Sequence, residues 1–248
     1  MSHFKTYIAS AIFAVFLFGA VDAQAQRYGG RSALSGGDHQ LGLALGITNT
    51  SQEHMNTLIS RANTRAGGIS TSALNQAYEG ALQYGYRFSG SMLALLIRPS
   101  FFYQKSTGGN SSGNYNYSVT GFTVFPILRI YPLENDLMKF FFQFGLGYGR
   151  ANGTIEEATA KTDFAGGAYG ALFGAGTEFC FVANHCVSAE ANYRYLTAER
   201  NIASSVSGTF ASDSLNGVRE NGEVEMDDTD LATRMGGLQF LLGYAIHF

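Results

Sequence analysis

The sequence predicts an all-β chain: a closed antiparallel barrel of eight transmembrane strands with short periplasmic turns and four long extracellular loops. Three observations predict it. Eight stretches alternate apolar and polar residues with a period of two. In all but the irregular fourth, one face carries Phe, Tyr, Leu and Ile without a charge, while the other carries Gly, Ala, Gln, Glu and Arg. Beyond Val21 no apolar run reaches the ~18 residues that a membrane-spanning helix needs.

The N-terminus comes first. "MSHFK" is a short basic start, "TYIASAIFAVFLFGA" an apolar stretch too short for a stable anchor, and "AQA" at Ala23–Ala25 a small-x-small cleavage site. Residues 1–25 therefore read as a signal peptide and 26–39 as a periplasmic segment before a barrel over 40–248. No stop-transfer flank supports a retained anchor, and no cysteine follows the cleavage site to make a lipoprotein. The net charge of −3 is unchanged without the first 25 residues, because Lys5 and Asp22 cancel. That balance argues against a nucleic-acid partner.

The first segment, "QLGLALGIT", sets Leu41, Leu43, Leu45 and Ile47 against Gln40, Gly42, Ala44 and Gly46. The second, "AYEGALQYGYRF", sets Tyr78, Leu82, Tyr84, Tyr86 and Phe88 against Glu79, Gln83 and Arg87. After a tight "SGS" turn comes "LALLIRPSFFYQ", where Arg98 opposes Leu95, Ile97 and Phe101. The fourth, "YSVTGFTVFPILRIY", has no clear polarity phase; Pro126 cannot donate to a ladder, so a bulge is expected there. The fifth, "KFFFQFGLGYGR", places Phe140, Phe142, Phe144, Leu146 and Tyr148 on one side. "AYGALFGAGTEF" and "CVSAEANYRYL" follow, and the terminal "LQFLLGYAIHF" alternates from Leu238 to Phe248.

A water-soluble barrel or lipocalin would put the apolar face inside. Here that face is continuous, chargeless and about ten residues long per strand, the length of a tilted bilayer-crossing strand, so it is the outer face. Hydrocarbon leaves no backbone group unpaired without cost, so the sheet must close through the first and last segments.

These residues resemble the eight-stranded OmpA-type and OmpX-type outer-membrane β-barrels, including the opacity-protein group, over Gln40–Phe248. The terminal "LLGYAIHF" looks like the recognition signal of that class, with Gly243, Ile246 and Phe248 in place; Leu241 stands where the class has a polar residue. The resemblance implies outer-membrane location, contact with lipid and lipopolysaccharide, insertion by the barrel-assembly machinery, and a monomer without cofactors. No peptidoglycan-binding domain is expected, since none follows Phe248.

Turns near Ser89, at Leu133–Leu137 and at Val182–His185 are short, and the other four connections read as long outward loops. The first contains Thr50 and Glu53 as a capping box and an apolar stripe of Met55, Leu58, Ile59 and Ala62, a short amphipathic helix over the mouth or at the interface. The last, Thr197–Ala232, holds eight acids against Arg200 and Arg219, a charge of −6. Its Glu220, Glu223, Glu225, Asp227, Asp228 and Asp230 offer oxygens to divalent cations, but the spacing is not that of a calcium loop, and a solvated acidic loop is the favoured reading.

Inside, Glu79, Glu178 and Glu190 are expected to face Arg87, Arg98 and Arg194. Eight strands enclose only enough room for side chains, so these charges must pair and plug the lumen, with inward glycines on the fifth and sixth strands leaving some space. Cys180 and Cys186 flank a short periplasmic turn and are expected to form a disulfide; a zinc site of Cys180, His185 and Cys186 lacks a fourth ligand. His39, His185 and His247 fall at the periplasmic rim and His54 stands alone in the first loop, so no nucleophile–His–acid set is expected and enzyme function is disfavoured. The favoured function is a structural or surface-interaction role, envelope integrity or adhesion, through extracellular loops. The alternative is a narrow channel for ions or small solutes.

Overall fold

The structure, a computed structural model, describes residues 39–248 except 67, 68, 112, 136, 183 and 216. The expected signal peptide and periplasmic segment lie outside the described residues, apart from His39. Eight strands form the barrel: β1 His39–Asn49, β2 Gln76–Arg87, β3 Leu93–Asn110, β4 Gly113–Glu134, β5 Met138–Ala158, β6 Ala160–Val182, β7 His185–Tyr195 and β8 Gly237–His247. Each pairs antiparallel with the next, and β8 pairs with β1 from Gln40↔His247 to Asn49↔Leu238, so the ring closes. Closure removes the sheet edges that a bilayer core cannot tolerate.

The face assignment follows the sequence. Leu41, Leu43, Leu45, Leu82, Leu95, Phe101, Phe142, Leu146, Phe173, Phe240 and Leu242 are exposed on the outside, while Gln40, Glu79, Gln83, Arg98, Glu178, Glu190 and Arg194 are buried within.

The outward connections differ from the expectation of four long loops. β3 and β4 stay paired to Asn110↔Gly113, and β5 and β6 to Glu157↔Ala160, so two of the four are long hairpins with tight turns. At their tips Gly113 adopts φ +144°, and a Cβ there would sit 2.7 Å from the Ala158 Cα, so glycine is what lets the hairpins touch. β3 to β6 run 18, 22, 21 and 23 residues against 11 or 12 for the other four strands. The long strands therefore rise as a wall above the short ones. A strand from the last loop, Ile202–Ser207, continues that wall by pairing with Lys161–Ala165 of β6, above the point where β7 leaves it.

Pro126 makes no bulge. The β4–β5 ladder passes from Val124↔Tyr148 to Ile127↔Gly145 in one register, simply omitting the proline's missing donor, and the β2–β3 ladder does the same around Pro99. The bulge lies at the next proline, Pro132, where pairing shifts between Ile130↔Phe142 and Leu133↔Phe140. That is near the periplasmic end of β4, where water can serve the freed groups.

One helix, α1 (Glu53–Ala66), stands in the first connection. Met55, Leu58, Ile59 and Ala62 are all buried, in one apolar cluster with Tyr115 and Tyr117 of β4, Ile155 of β5, Phe164 of β6, and Leu215, Val224, Met226 and Leu231 of the last loop. The stripe is thus a core face within an extracellular cap. The expected capping box does not form. Asn56 N–H donates to the Gln52 carbonyl at 2.7 Å, which makes Gln52 the cap residue. Thr50 Oγ1 is buried without a hydrogen-bond partner, and the Glu53 carboxylate takes Arg234 at 2.9 Å.

Candidate functional site

The barrel interior is the first candidate. Period two puts Glu79 (β2), Arg98 and Ser100 (β3), Thr123 and Arg129 (β4), Gln143 (β5), Glu178 (β6), Glu190, Asn192 and Arg194 (β7) and Gln239 (β8) on the inner face. They meet as three linked centres. Glu190 accepts from Arg98 at 2.8 Å, from Arg129 at 2.8 Å and from Gln143 at 2.9 Å. Glu178 accepts from Arg129 at 2.6 Å, Tyr131 at 3.1 Å and Gln40 at 3.2 Å. Glu79 accepts from Arg194 at 2.6 Å, Thr48 at 2.6 Å and Ser100 at 2.8 Å. Three carboxylates thus face three guanidiniums, and each carboxylate has further donors, the condition under which buried charge is tolerable.

Five of the six expected network residues are in this set. Arg87 is not: it sits half-buried at the periplasmic rim, forking onto Glu134 at 2.6 and 2.8 Å, with Lys139 3.7 Å from the same acid. It lies at the end of β2, where its long side chain reaches across the mouth instead of along the bore. Its place is held by Arg129, which bridges Glu178 and Glu190 and lies over the Phe141 ring at 3.8 Å. Phasing β4 from the exposed Phe122, Pro126 and Leu128 would have turned Arg129 inward.

The inward glycines leave no open room. A Cβ on Gly121 would stand 1.8 Å from the Phe102 ring, on Gly147 2.6 Å from Phe125, on Gly153 2.1 Å from Phe164 and on Gly176 2.5 Å from Phe141. Each glycine is the socket for an aromatic ring of a neighbouring strand; Phe141 packs low in the bore beneath Arg129, and above it the bore is filled by Phe102, Phe125 and Phe164 with Leu172, Leu196 and Met235.

The cap is the second candidate. Arg61 forks onto Asp227, and Arg65 joins Asp213 and the buried Glu157. The Gln52 side chain both donates to and accepts from the Arg234 backbone, at 2.6 and 2.9 Å, and donates to Gln104 at 3.0 Å. His54 Nδ1 accepts from Ala232 N–H at 2.9 Å. The last loop is therefore bolted to α1 along its length. The Arg61 hydrogen bond holds the Asp227 carboxyl below the usual carboxylate range. Of the other acids of that run, Glu223 pairs with Arg200 and gathers with Glu225 and Asp230, their oxygens within 4.8 Å of one another, while Glu220 and Asp228 stand apart and exposed.

At the periplasmic end Cys180 and Cys186, directly opposed in the β6–β7 register, are joined by a disulfide and buried. His39 and His185 face outward, each against a tyrosine hydroxyl, Tyr84 and Tyr244. His247 points inward toward Glu178, at 3.6 Å. Gly243, Ile246 and Phe248 lie in or beside β8; Ile246 and Phe248 are exposed, and Phe248 exchanges backbone hydrogen bonds with His39 at 2.9 and 3.1 Å.

No family model and no curated protein matches the chain. Solved structures do. The outer membrane protein OprG of Pseudomonas aeruginosa has a TM-score of 0.52 at 9% identity, covering 86% of this chain and 97% of that one. Ail, the attachment invasion locus protein of Yersinia pestis, has a TM-score of 0.37 at 13% identity, covering 85% and 99%. The N-terminal β-barrel domain of P. aeruginosa OprF has a TM-score of 0.35 at 12% identity, covering 86% and 99%. At these identities the likeness is one of fold, and the OprG match carries it.

Proposed function

We infer that this chain, which has the fold of the OmpA/OmpX-type eight-stranded outer-membrane barrels, is a non-conducting outer-membrane protein that supports the envelope and presents its extracellular cap as an adhesive or partner-binding surface. The observation that carries this reading is the Arg98–Glu190–Arg129–Glu178 chain across the bore. Opening a path there means separating buried ion pairs, at several kcal/mol each. The cap supports the second half of the reading: α1 and the last loop share an apolar core and several ion pairs, so the surface they present is ordered before any partner arrives, which lowers the entropic cost of binding.

The partners of this reading are lipid and lipopolysaccharide against the apolar belt, and the barrel-assembly machinery at Gly243, Ile246 and Phe248. A Phe248→Asp variant is expected to be exported yet accumulate in the periplasm. The test of function is a planar bilayer holding the purified protein, alongside cell-binding by a variant lacking residues 208–221. Negligible steady conductance, with surface binding lost on deletion, is expected. Stable, ion-selective channels from the wild type would replace this reading with the narrow-channel one.

A further inference from the structure

Where the ion-pair network ends, at the periplasmic mouth, four side chains from three strands converge. Glu178 and Cys180 are two apart on β6 and so share its inner face. The register sets Cys180 opposite Cys186 of β7, and Cys186 opposite Ala245 of β8, which brings His247 to the same spot. The ligand atoms of Glu178, Cys186 and His247 lie within 4.8 Å of one another. Glu178 Oε1 already takes Arg129, Tyr131 and Gln40. Glu178 Oε2 and His247 Nε2, however, are both buried with no hydrogen-bond partner among the described residues, and they face each other 3.6 Å apart. Buried polar atoms left in this way are uncommon and costly, and they point to a group that completes them. A cavity of about 10 Å³, room for about one water, touches His247 among the rim residues His39, Arg87 and Lys139.

We propose that this is a redox-gated metal site: with the disulfide reduced, Cys180, Cys186, His247 and Glu178 hold a Zn²⁺-class ion. Two sulfurs, one imidazole and one carboxylate are a tetrahedral donor set for a borderline-soft divalent ion. The sequence-level alternative through His185 fails because that ring faces Tyr244 on the outside.

The chemistry balances. A dithiol reductant attacks the disulfide, two electrons break the S–S bond, and the reductant leaves as its own disulfide. The two new thiols release their protons as the ion binds. Two thiolates then offset the two positive charges of the ion, and Glu178 remains offset by Arg129. In the oxidised state the sulfurs are spent on each other and only two ligands remain, so disulfide and metal exclude one another.

The experiment refolds the protein into detergent with a dithiol present, removes the dithiol without air, and titrates Co²⁺, whose thiolate charge-transfer bands report sulfur ligation. One Co²⁺ per reduced chain, displaced by Zn²⁺ and not bound by oxidised protein, is expected. His247→Ala is expected to weaken it at least about tenfold, while His185→Ala leaves it unchanged. Cys180→Ser is expected to reduce the thiolate bands. Folding of each variant is followed separately by circular dichroism. A folded, reduced chain that shows no thiolate bands, or a His247→Ala chain that binds as tightly as wild type, overturns the proposal. So does a reduced chain that folds neither with nor without the metal.

Discussion

The lower and upper parts of the same strands are built in opposite senses. On β5 the outer face runs Phe140, Phe142, Phe144, Leu146 and Tyr148 and then changes to Arg150, Asn152, Thr154 and Glu156, while the inner face passes from Lys139 and Gln143 to Ala151 and Ile155. β4 does the same in reverse order, from outward Asn114, Asn116 and Ser118 with inward Tyr115, Tyr117 and Val119 to outward Phe122 and Leu128 with inward Thr123 and Arg129. Period two decides which side a residue is on, and the surrounding medium decides which side is apolar. Within lipid the barrel is held together from inside by paired charge. Above it, the wall and the cap form a core like that of a soluble domain.

Each half should therefore fail in its own way. The largest effect is expected from Arg129→Ala, which strips a partner from both Glu178 and Glu190 and should cost about 3–5 kcal/mol, measured as a lower urea midpoint of the whole barrel. In the cap, Leu58→Ala should cost about 2–4 kcal/mol but locally, as faster amide exchange in α1 with the barrel midpoint unchanged. If both variants lower the midpoint equally, the two parts unfold as one unit and the division is wrong. Gly121→Ala tests the seam between them. Its Cβ overlaps the Phe102 ring, so a loss of about 1–3 kcal/mol is expected, recovered in part by Phe102→Leu.

The smallest effect is a pH dependence confined to the cap. The folded Asp227 carboxyl lies below its usual range because Arg61 hydrogen-bonds its charged form. Its contribution is thus present above the unfolded value of about 4 and is lost as pH falls through the lower folded value. Protection of α1, corrected for intrinsic exchange, should weaken in acid more in wild type than in Asp227→Asn; equal acid loss in both would remove Asp227 from the latch.

The inversion also explains what was readable in the sequence. Leu41 to Ile47 and Phe140 to Tyr148 gave away strand, phase and lipid face together, because there the outer side is apolar and the inner side is not. Arg129 was missed because Phe125, Ile127 and Tyr131 share its inner face and blur the contrast. The hairpins above the interface read as loops in the sequence because Gly108, Gly109, Asn114 and Asn116 look like polar connection, although the residues between Asn114 and Ser118 alternate correctly. The latches of α1 were out of reach for a different reason. Arg61 and Asp227 lie far apart in sequence, and only the folded wall and the shared core bring them together.

The seam between β1 and β8 sets the order of assembly. Seven of the eight pairings join strands that follow one another along the chain, but the eighth joins its first strand to its last, down to the double hydrogen bond of His39 with Phe248. Until β8 exists, β1 carries a row of unpaired amides that hydrocarbon cannot satisfy. Insertion one hairpin at a time is therefore uphill, and the slow step is the meeting of the two ends, the contact of greatest sequence separation. Any catalyst of this barrel's folding has to act by holding one of those two edges while the other arrives.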